Sequence, residues 1–233
     1  MNSMNPRLPA VLAVVLLAHI AVAAQLPTAG SPTGINTAFI KLFGDVSAFS
    51  ARLDTQVLDQ SGKEWLRMPM DFAALDKKIR MDINLEQSTS RDLPANTITS
   101  LKQTGMDRMV SIFRPDKKAS FVLYPRIKRY LTLPLAKGES EAMEKGLQME
   151  KTNLGKETVD GHACVKNEVV VKNQQGPVLR ATTWNAPDLR DFPIQIQTKE
   201  QDTTVTMRFK QIQFAKPDPK QFEVPADYTQ MTQ

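Results

Sequence analysis

The chain has 233 residues, of which 30 are basic and 25 acidic, and its formal net charge is +5 at pH 7. This small excess does not predict nucleic acid as a partner, although it is compatible with peripheral contact at an anionic membrane surface. Because Cys164 is the single cysteine, an intrachain disulfide is excluded, and the fold must depend on an apolar core, for which the chain is long enough.

The N-terminus has the pattern of a secretory signal peptide. Arg7 precedes an apolar run over residues 8–23, and the run ends in small residues. The run is shorter than the roughly 20 residues that span a bilayer, which favours a cleaved signal over a membrane anchor. We therefore predict a signal peptide over residues 1–24, cut after Ala23 or Ala24, and a protein that is soluble in the periplasm.

A linker and a helix follow. Residues 25–32 are rich in Pro, Gly, Ser and Thr, which is typical of a linker, and a single domain is expected over residues 33–230. Apolar residues at helical spacing predict a helix over residues 33–43, with Gly44 to end it. Its apolar stripe consists of Ile35, Ala38, Phe39, Leu42 and Phe43.

Three segments then alternate between apolar and polar residues, over residues 49–57, 66–72 and 79–85. Alternation with short turns between segments predicts an antiparallel meander that is dry on one face. We expect this face to be the concave side of a curved sheet, closed by the helix, and to line a cavity. The candidate ligand-binding residues are Phe39, Leu53, Val57, Leu66, Met68, Met70, Ile79, Met81 and Ile83.

More strands of the same kind make up the rest of the chain, about ten in all. Asp160-Gly161 is a strong hairpin signal, and Asp218 can cap a helical turn begun at Pro219, with Phe222 docked on the core. The predicted strands cover residues 109–114, 120–124, 129–133, 157–159, 163–172, 178–184, 193–199 and 203–214. The fold class is therefore mainly β (α+β), an antiparallel sheet with covering helices.

Two insertions interrupt the strand pattern, residues 86–104 and residues 138–151. Within the first, a short helix is predicted from Pro94 to the residue before Gly105, and the second is rich in helix formers. Both insertions are candidate lids, and both are equally compatible with simple connections.

Three segments resemble the exported LolA/LolB-like proteins, in particular the branch called outer-membrane lipoprotein-sorting proteins. They are FRPDKKASFVLYPRIKRY at 113–130, LGKETVDGHACVKNEV at 154–169 and KPDPKQFEVPADY at 216–228. The resemblance implies a strongly curved antiparallel half-barrel with helices over its concave side, holding acyl chains in a cavity. It brings no catalytic motif and no cofactor.

Catalysis has little support in the residues themselves. His162 and Cys164 lie two positions apart beside a glycine turn, but a zinc site needs about four ligands and a thiol nucleophile needs an oriented base. We interpret them as a turn histidine and a buried thiol, and we expect no metal. Basic residues crowd the turns between residues 115 and 129, as a solvated surface or as a rim for lipid headgroups.

The sequence thus predicts a non-enzymatic periplasmic carrier for a lipid or lipoprotein acyl chain. The alternative is an envelope protein-interaction or sensor module on the same fold, and a hydrolase comes third. An open apolar cavity favours the carrier, and a filled core with an exposed apolar patch favours the interaction module.

Overall fold

The computed structural model describes residues 37–92, 94–135, 139, 146–200 and 202–231. The predicted signal peptide, the linker and the first residues of the predicted helix lie outside these ranges.

One curved, unclosed sheet holds all the strands of the described residues. Neighbouring strands pair antiparallel except β13, which pairs parallel with β7. The sheet order is β13-β7-β6-β5-β3-β2-β1-β12-β11-β10-β9-β8, with β4 paired to β2. The strands are β1 Ala48–Leu58, β2 Glu64–Leu75, β3 Lys78–Asn84, β4 Thr89–Ser90, β5 Arg108–Arg114, β6 Ala119–Tyr124, β7 Arg129–Pro134, β8 Gln148–Val159, β9 His162–Asn173, β10 Gly176–Ala186, β11 Phe192–Glu200, β12 Thr203–Gln213 and β13 Thr229–Gln230. The predicted fold class, a mainly β protein with a curved antiparallel sheet, is confirmed.

Two-residue turns with positive φ join the hairpins where the sequence predicts them. Asp76 and Lys77 have φ of 50° and 67° between β2 and β3, and Asp160 and Gly161 have φ of 47° and 86° between β8 and β9. Turns with two positive φ values match the right-handed twist of the flanking strands, and Asp and Gly tolerate this conformation. These turns fix the register of long strand pairs.

Two α-helices accompany the sheet in the described ranges. Helix α1, Thr37–Lys41, is the described part of the predicted helix, and a turn follows it to Gly44, whose φ is +59°. Helix α2, Ala95–Gln103, confirms the short helix predicted before Gly105. Leu101 of α2 is buried in the main core, so this helix covers part of the inner face of the sheet.

Strand β8 departs from the prediction. The helix formers of residues 138–151 include Met149, yet β8 begins at Gln148, is 12 residues long and pairs with β9. Only residues 157–159 were predicted as strand. Among the described strands β8 pairs with β9 alone, and nearly all its side chains are exposed, so it lacks the alternation that marks a half-buried strand. The pairing of β8 with β9 therefore outweighs the helix propensity of its first residues.

The inner face of the sheet, the face that α1 covers, is held together by phenylalanine rings. Phe43 lies among Phe49 of β1, Phe72 of β2, Phe192 of β11 and Phe209 of β12, with ring centroids between 5.0 and 5.9 Å away. Aromatic pairs at these distances stabilise beyond their buried area. The turn after α1 is thereby fastened to four strands.

The outer face has a smaller core under the C-terminal segment. Phe222 is fully buried there against Val110 and Ile112 of β5. As predicted, the Asp218 carboxylate caps the turn before it, accepting from the Lys220 amide at 2.9 Å.

Arg114, the last residue of β5, holds this C-terminal segment against the sheet. Its guanidinium donates to the Phe222 carbonyl at 2.8 Å and to both carboxylate oxygens of Asp116, and it lies 2.5 Å from the Glu223 carboxylate. The pKa of the Asp116 carboxyl is lowered, mainly by Arg114, and the pKa of Glu223 is lowered first by Lys117 and then by Arg114.

Phe43→Ala should lower the free energy of unfolding by about 3–5 kcal/mol, since it removes the ring shared by all these contacts. Leu154→Ala is the control, because this side chain is 52% exposed, and its effect should stay within about 0.5 kcal/mol. Urea unfolding measures both. A loss below about 1 kcal/mol for Phe43→Ala would contradict a central role for this ring.

Arg114→Met should destabilise the protein by about 1–3 kcal/mol at pH 7, because two carboxylates and a buried carbonyl lose their donor. Carboxyls with a lowered folded pKa contribute stability above their unfolded pKa of about 4, and this contribution is lost as the pH falls. The difference between wild type and variant should therefore shrink at pH 3. Lys117→Met, which breaks an exposed pair, should cost less than about 1 kcal/mol. A loss for Arg114→Met that is the same at both pH values would rule out the carboxylates as its source.

Candidate functional site

A cavity of about 610 Å³ lies beside α1, where this helix meets the turn between β2 and β3. Its volume falls in the range of about 300–1,000 Å³ that is usual for sites of small ligands. The residues that line it are Thr37, Ile40, Lys41, Phe43, Gly44, Val46, Ser47, Ala74, Asp76, Lys77, Ile79, Pro115, Gly146 and Leu147.

Segments that are distant in sequence frame this cavity. The amide of Asp76 donates to the Ser47 carbonyl at 2.8 Å, which joins the β2–β3 turn to the segment between α1 and β1. At the start of α1, the Thr37 amide donates to the Glu139 carboxylate at 2.9 Å. The cavity is thus bounded by a helix, a tight hairpin and the residues just before β8.

The wall of the cavity is apolar. Ala74 and Ile79 are directly opposite each other on β2 and β3, and both are buried. Ile40, Val46 and Leu147 are partly buried against the same core. A surface of branched aliphatic side chains and one phenylalanine offers no hydrogen bonds, so it favours an apolar ligand.

Polar groups belong to the rim. Lys41, Asp76 and Lys77 are exposed, and neither lysine forms an ion pair among the described residues. The Thr37 hydroxyl is buried and has no hydrogen-bond partner in the described structure. A buried hydroxyl without a partner is costly, and a polar ligand atom would satisfy it.

Of the nine residues predicted to line a ligand cavity, Ile79 is the one that lies at this cavity. The sheet does bring the nine together, since Leu53 is opposite Met70 and Met70 is opposite Ile83. They are between 0% and 4% exposed, however, and they pack into one continuous core. The other eight are Phe39, Leu53, Val57, Leu66, Met68, Met70, Met81 and Ile83.

The sequence reasoning missed most of the cavity residues because they lie on turns and connections. Gly44 and Asp76-Lys77 are recognisable in the sequence as a helix stop and a turn. Nothing in the sequence, however, places Pro115 or Leu147 beside them. Only the tertiary fold brings these segments to one place.

His162 and Cys164 do not form a catalytic pair. The His162 ring contacts the Asp188 carboxylate at 2.6 Å, whereas Cys164 is fully buried and burial raises the pKa of its thiol. A buried thiol with a raised pKa is a poor nucleophile. In the ranges that the structure describes, no cluster of His, Cys, Asp and Glu has the arrangement of a metal site.

Three of the basic turn residues considered as a headgroup rim are engaged within the protein. Arg126 pairs with the fully buried Asp107 at 2.9 Å. Lys117 pairs with Glu223 at 2.7 Å, and Lys128 with Asp227 at 2.8 Å. These pairs fasten turns and the C-terminal segment to the sheet.

The first candidate lid, residues 86–104, is held against the sheet by charged contacts. Arg91 pairs with Asp59, and Arg52 of β1 donates to the Gln87 side-chain oxygen, both at 2.6 Å, whereas the pair of Lys102 and Glu86 lies within the segment. Hydrogen bonds from Ser61 and Arg91 hold the pKa of Asp59 well below its usual range. The other candidate lid, residues 138–151, lies largely outside the described residues.

No protein-family model matches this chain, and no curated protein matches it either. Several solved structures are similar to it. A LolA superfamily protein from Nitrosomonas europaea is 9% identical, covering 78% of this chain and 93% of that chain at a TM-score of 0.38. The lipoprotein LppX from Mycobacterium tuberculosis is 11% identical, with coverages of 88% and 95% and a TM-score of 0.39. MucB in complex with MucA(peri) is 12% identical, with coverages of 83% and 61% and a TM-score of 0.37.

A LolA superfamily protein, the kind of protein that the three sequence segments resemble, is among these neighbours. All three scores are below 0.5, so the likeness assigns neither a ligand nor a partner to this chain.

In the described part of the chain, every helix is too short or too polar to cross a membrane.

Proposed function

We propose that this protein is a non-enzymatic binding protein that shields an apolar chain, such as the acyl chain of a lipid or lipoprotein. The observation that carries the proposal is the cavity beside α1, with its aliphatic wall and its polar groups confined to the rim. The predicted signal peptide supports a periplasmic site of action, and it remains a prediction.

Burial of the chain provides the binding energy. Each CH₂ group removed from water contributes about 0.8 kcal/mol, so ten methylenes contribute roughly 8 kcal/mol before the costs of association. Ile40, Val46 and Leu147, which line the cavity and are only partly buried, supply this surface without a polar atom that would need a partner. A soluble carrier needs such a site because an acyl chain is otherwise poorly solvated in water.

The structure gives less support to the other two functions. A hydrolase commonly needs a nucleophile with an oriented base, and in the described ranges no His or Cys lines the cavity. An interaction module of this kind would use an exposed apolar patch, but Leu154 is the one large apolar side chain exposed in the described ranges.

Filling the cavity should abolish binding. Val46→Trp places a large ring at a partly buried position of the wall, and Val178→Trp is the matched control at a partly buried position away from the cavity. Binding of a fluorescent fatty acid, parinaric acid, measures the effect. We expect at least a tenfold loss for Val46→Trp, about 1.4 kcal/mol, and little change for Val178→Trp.

Circular dichroism spectra and urea unfolding of both variants verify that they remain folded. Equal loss of binding in the two variants would contradict a site beside α1. If the wild-type protein is empty when purified from the periplasm and binds no fatty-acid probe, the proposal fails. The interaction-module alternative then takes its place.

A further inference from the structure

We infer that the ligand is an anionic, single-chain amphiphile, with its headgroup at the rim formed by Lys41 and Lys77 and its chain inside the cavity. This inference rests on the proposed function and adds the charge and the number of chains. A long-chain carboxylate is the simplest member of this chemical class.

The charges at the rim favour an anion. Lys41 and Lys77 both line the cavity, and neither forms an ion pair within the described ranges, whereas Lys117 and Lys128 have carboxylate partners. Asp76 is the one acidic residue that lines the cavity in the same ranges. The described lining therefore has two ammonium groups and one carboxylate, and an incoming anion would give an ammonium group a partner.

Other acidic groups near the rim are accounted for. The Glu139 carboxylate accepts from the Thr37 amide, so it is engaged at the start of α1. Asp45 is exposed in the turn after α1 and does not line the cavity. Among the described residues the main opposing charge at the rim is thus Asp76, and its removal tests whether the rim attracts an anion.

The backbone at Lys41 and at Lys77 is held in place by neighbouring contacts. Lys77 is in the two-residue turn, and the neighbouring Asp76 amide is bound to the Ser47 carbonyl at 2.8 Å. Lys41 is the last residue of α1, and the following turn is anchored by Phe43. Their flexible side chains extend from rigid elements, which suits a headgroup of variable shape.

A third polar group favours an oxyanion. Thr37 is one of the residues that line the cavity, and its hydroxyl is shielded from solvent and lacks a hydrogen-bond partner in the described structure. A hydroxyl can donate to a carboxylate or phosphate oxygen. Two lysine ammonium groups and a hydroxyl without a partner therefore lie beside an apolar space. This arrangement is complementary to the anionic headgroup of a lipid and the start of its chain.

The volume favours one chain. At about 610 Å³ the cavity is in the range of sites that enclose a single small ligand. The inner face that a second chain would need is occupied by packed side chains, including Met70 and Phe72, which are 3% and 2% exposed.

The test compares parinaric acid with its methyl ester, at a pH of about 8, where the acid is ionised. The acid should bind more tightly. Lys41→Gln and Lys77→Asn should each weaken binding of the acid about two- to fivefold and leave the ester unchanged. Asn is chosen at position 77 because it tolerates the positive φ of this turn.

Two control variants and a salt series complete the design. Asp76→Asn should strengthen binding of the acid, whereas Lys63→Gln, just before β2 and thus at the end of that strand away from the cavity, should affect neither probe. The preference for the acid should shrink in 1 M salt, where the screening length falls from about 10 Å to about 3 Å.

The outcomes separate the two proposals. If acid and ester bind equally and the lysine variants change nothing, the headgroup inference is overturned while the proposed function stands. If a two-chain phosphatidylglycerol probe displaces the acid better than a one-chain lysophospholipid, the single-chain part is overturned. If neither parinaric acid nor its ester binds, both proposals fail together.

Discussion

The packing of Phe43 into the inner face of the sheet is the interaction on which the rest of the structure depends. Its ring contacts phenylalanines from β1, β2, β11 and β12, which come from the two halves of the chain. The sheet is unclosed, so its inner face must be covered by another element. The turn after α1 performs this role, and α1 is held over the inner face as a result.

The same packing decides where a ligand can lie. A filled inner face leaves Met68 and Met70 without access to a ligand, since they are 4% and 3% exposed. The cavity lies instead beside the β2–β3 turn, where the partly buried Ile40, Val46 and Leu147 come together. Stability and binding are thereby assigned to adjacent regions that share Phe43. The aromatic cluster stabilises the sheet, and the neighbouring aliphatic wall stays available.

Strict alternation made β1, β2 and β3 predictable, and with them the inner face that Leu53, Met70 and Ile83 share across three strands. Turn chemistry made the Asp160-Gly161 hairpin predictable. β8 was missed because an exposed edge strand has no apolar alternation. The cavity beside α1 was not predicted, for a different reason. Alternation identifies which side chains are buried, but it does not reveal whether a buried face is packed or open, and the cavity is built from remote connecting segments.

The most direct test of the account is to map where an acyl chain lies in the protein. A fatty acid with a photoreactive diazirine on its chain would be bound, irradiated and located by peptide mass spectrometry. The account predicts labelling at the cavity, in peptides that contain Ile40, Val46 or Leu147. Labelling concentrated at Leu53, Met68 and Met70, with the cavity peptides unlabelled, would show that the chain enters the inner face and would contradict the account.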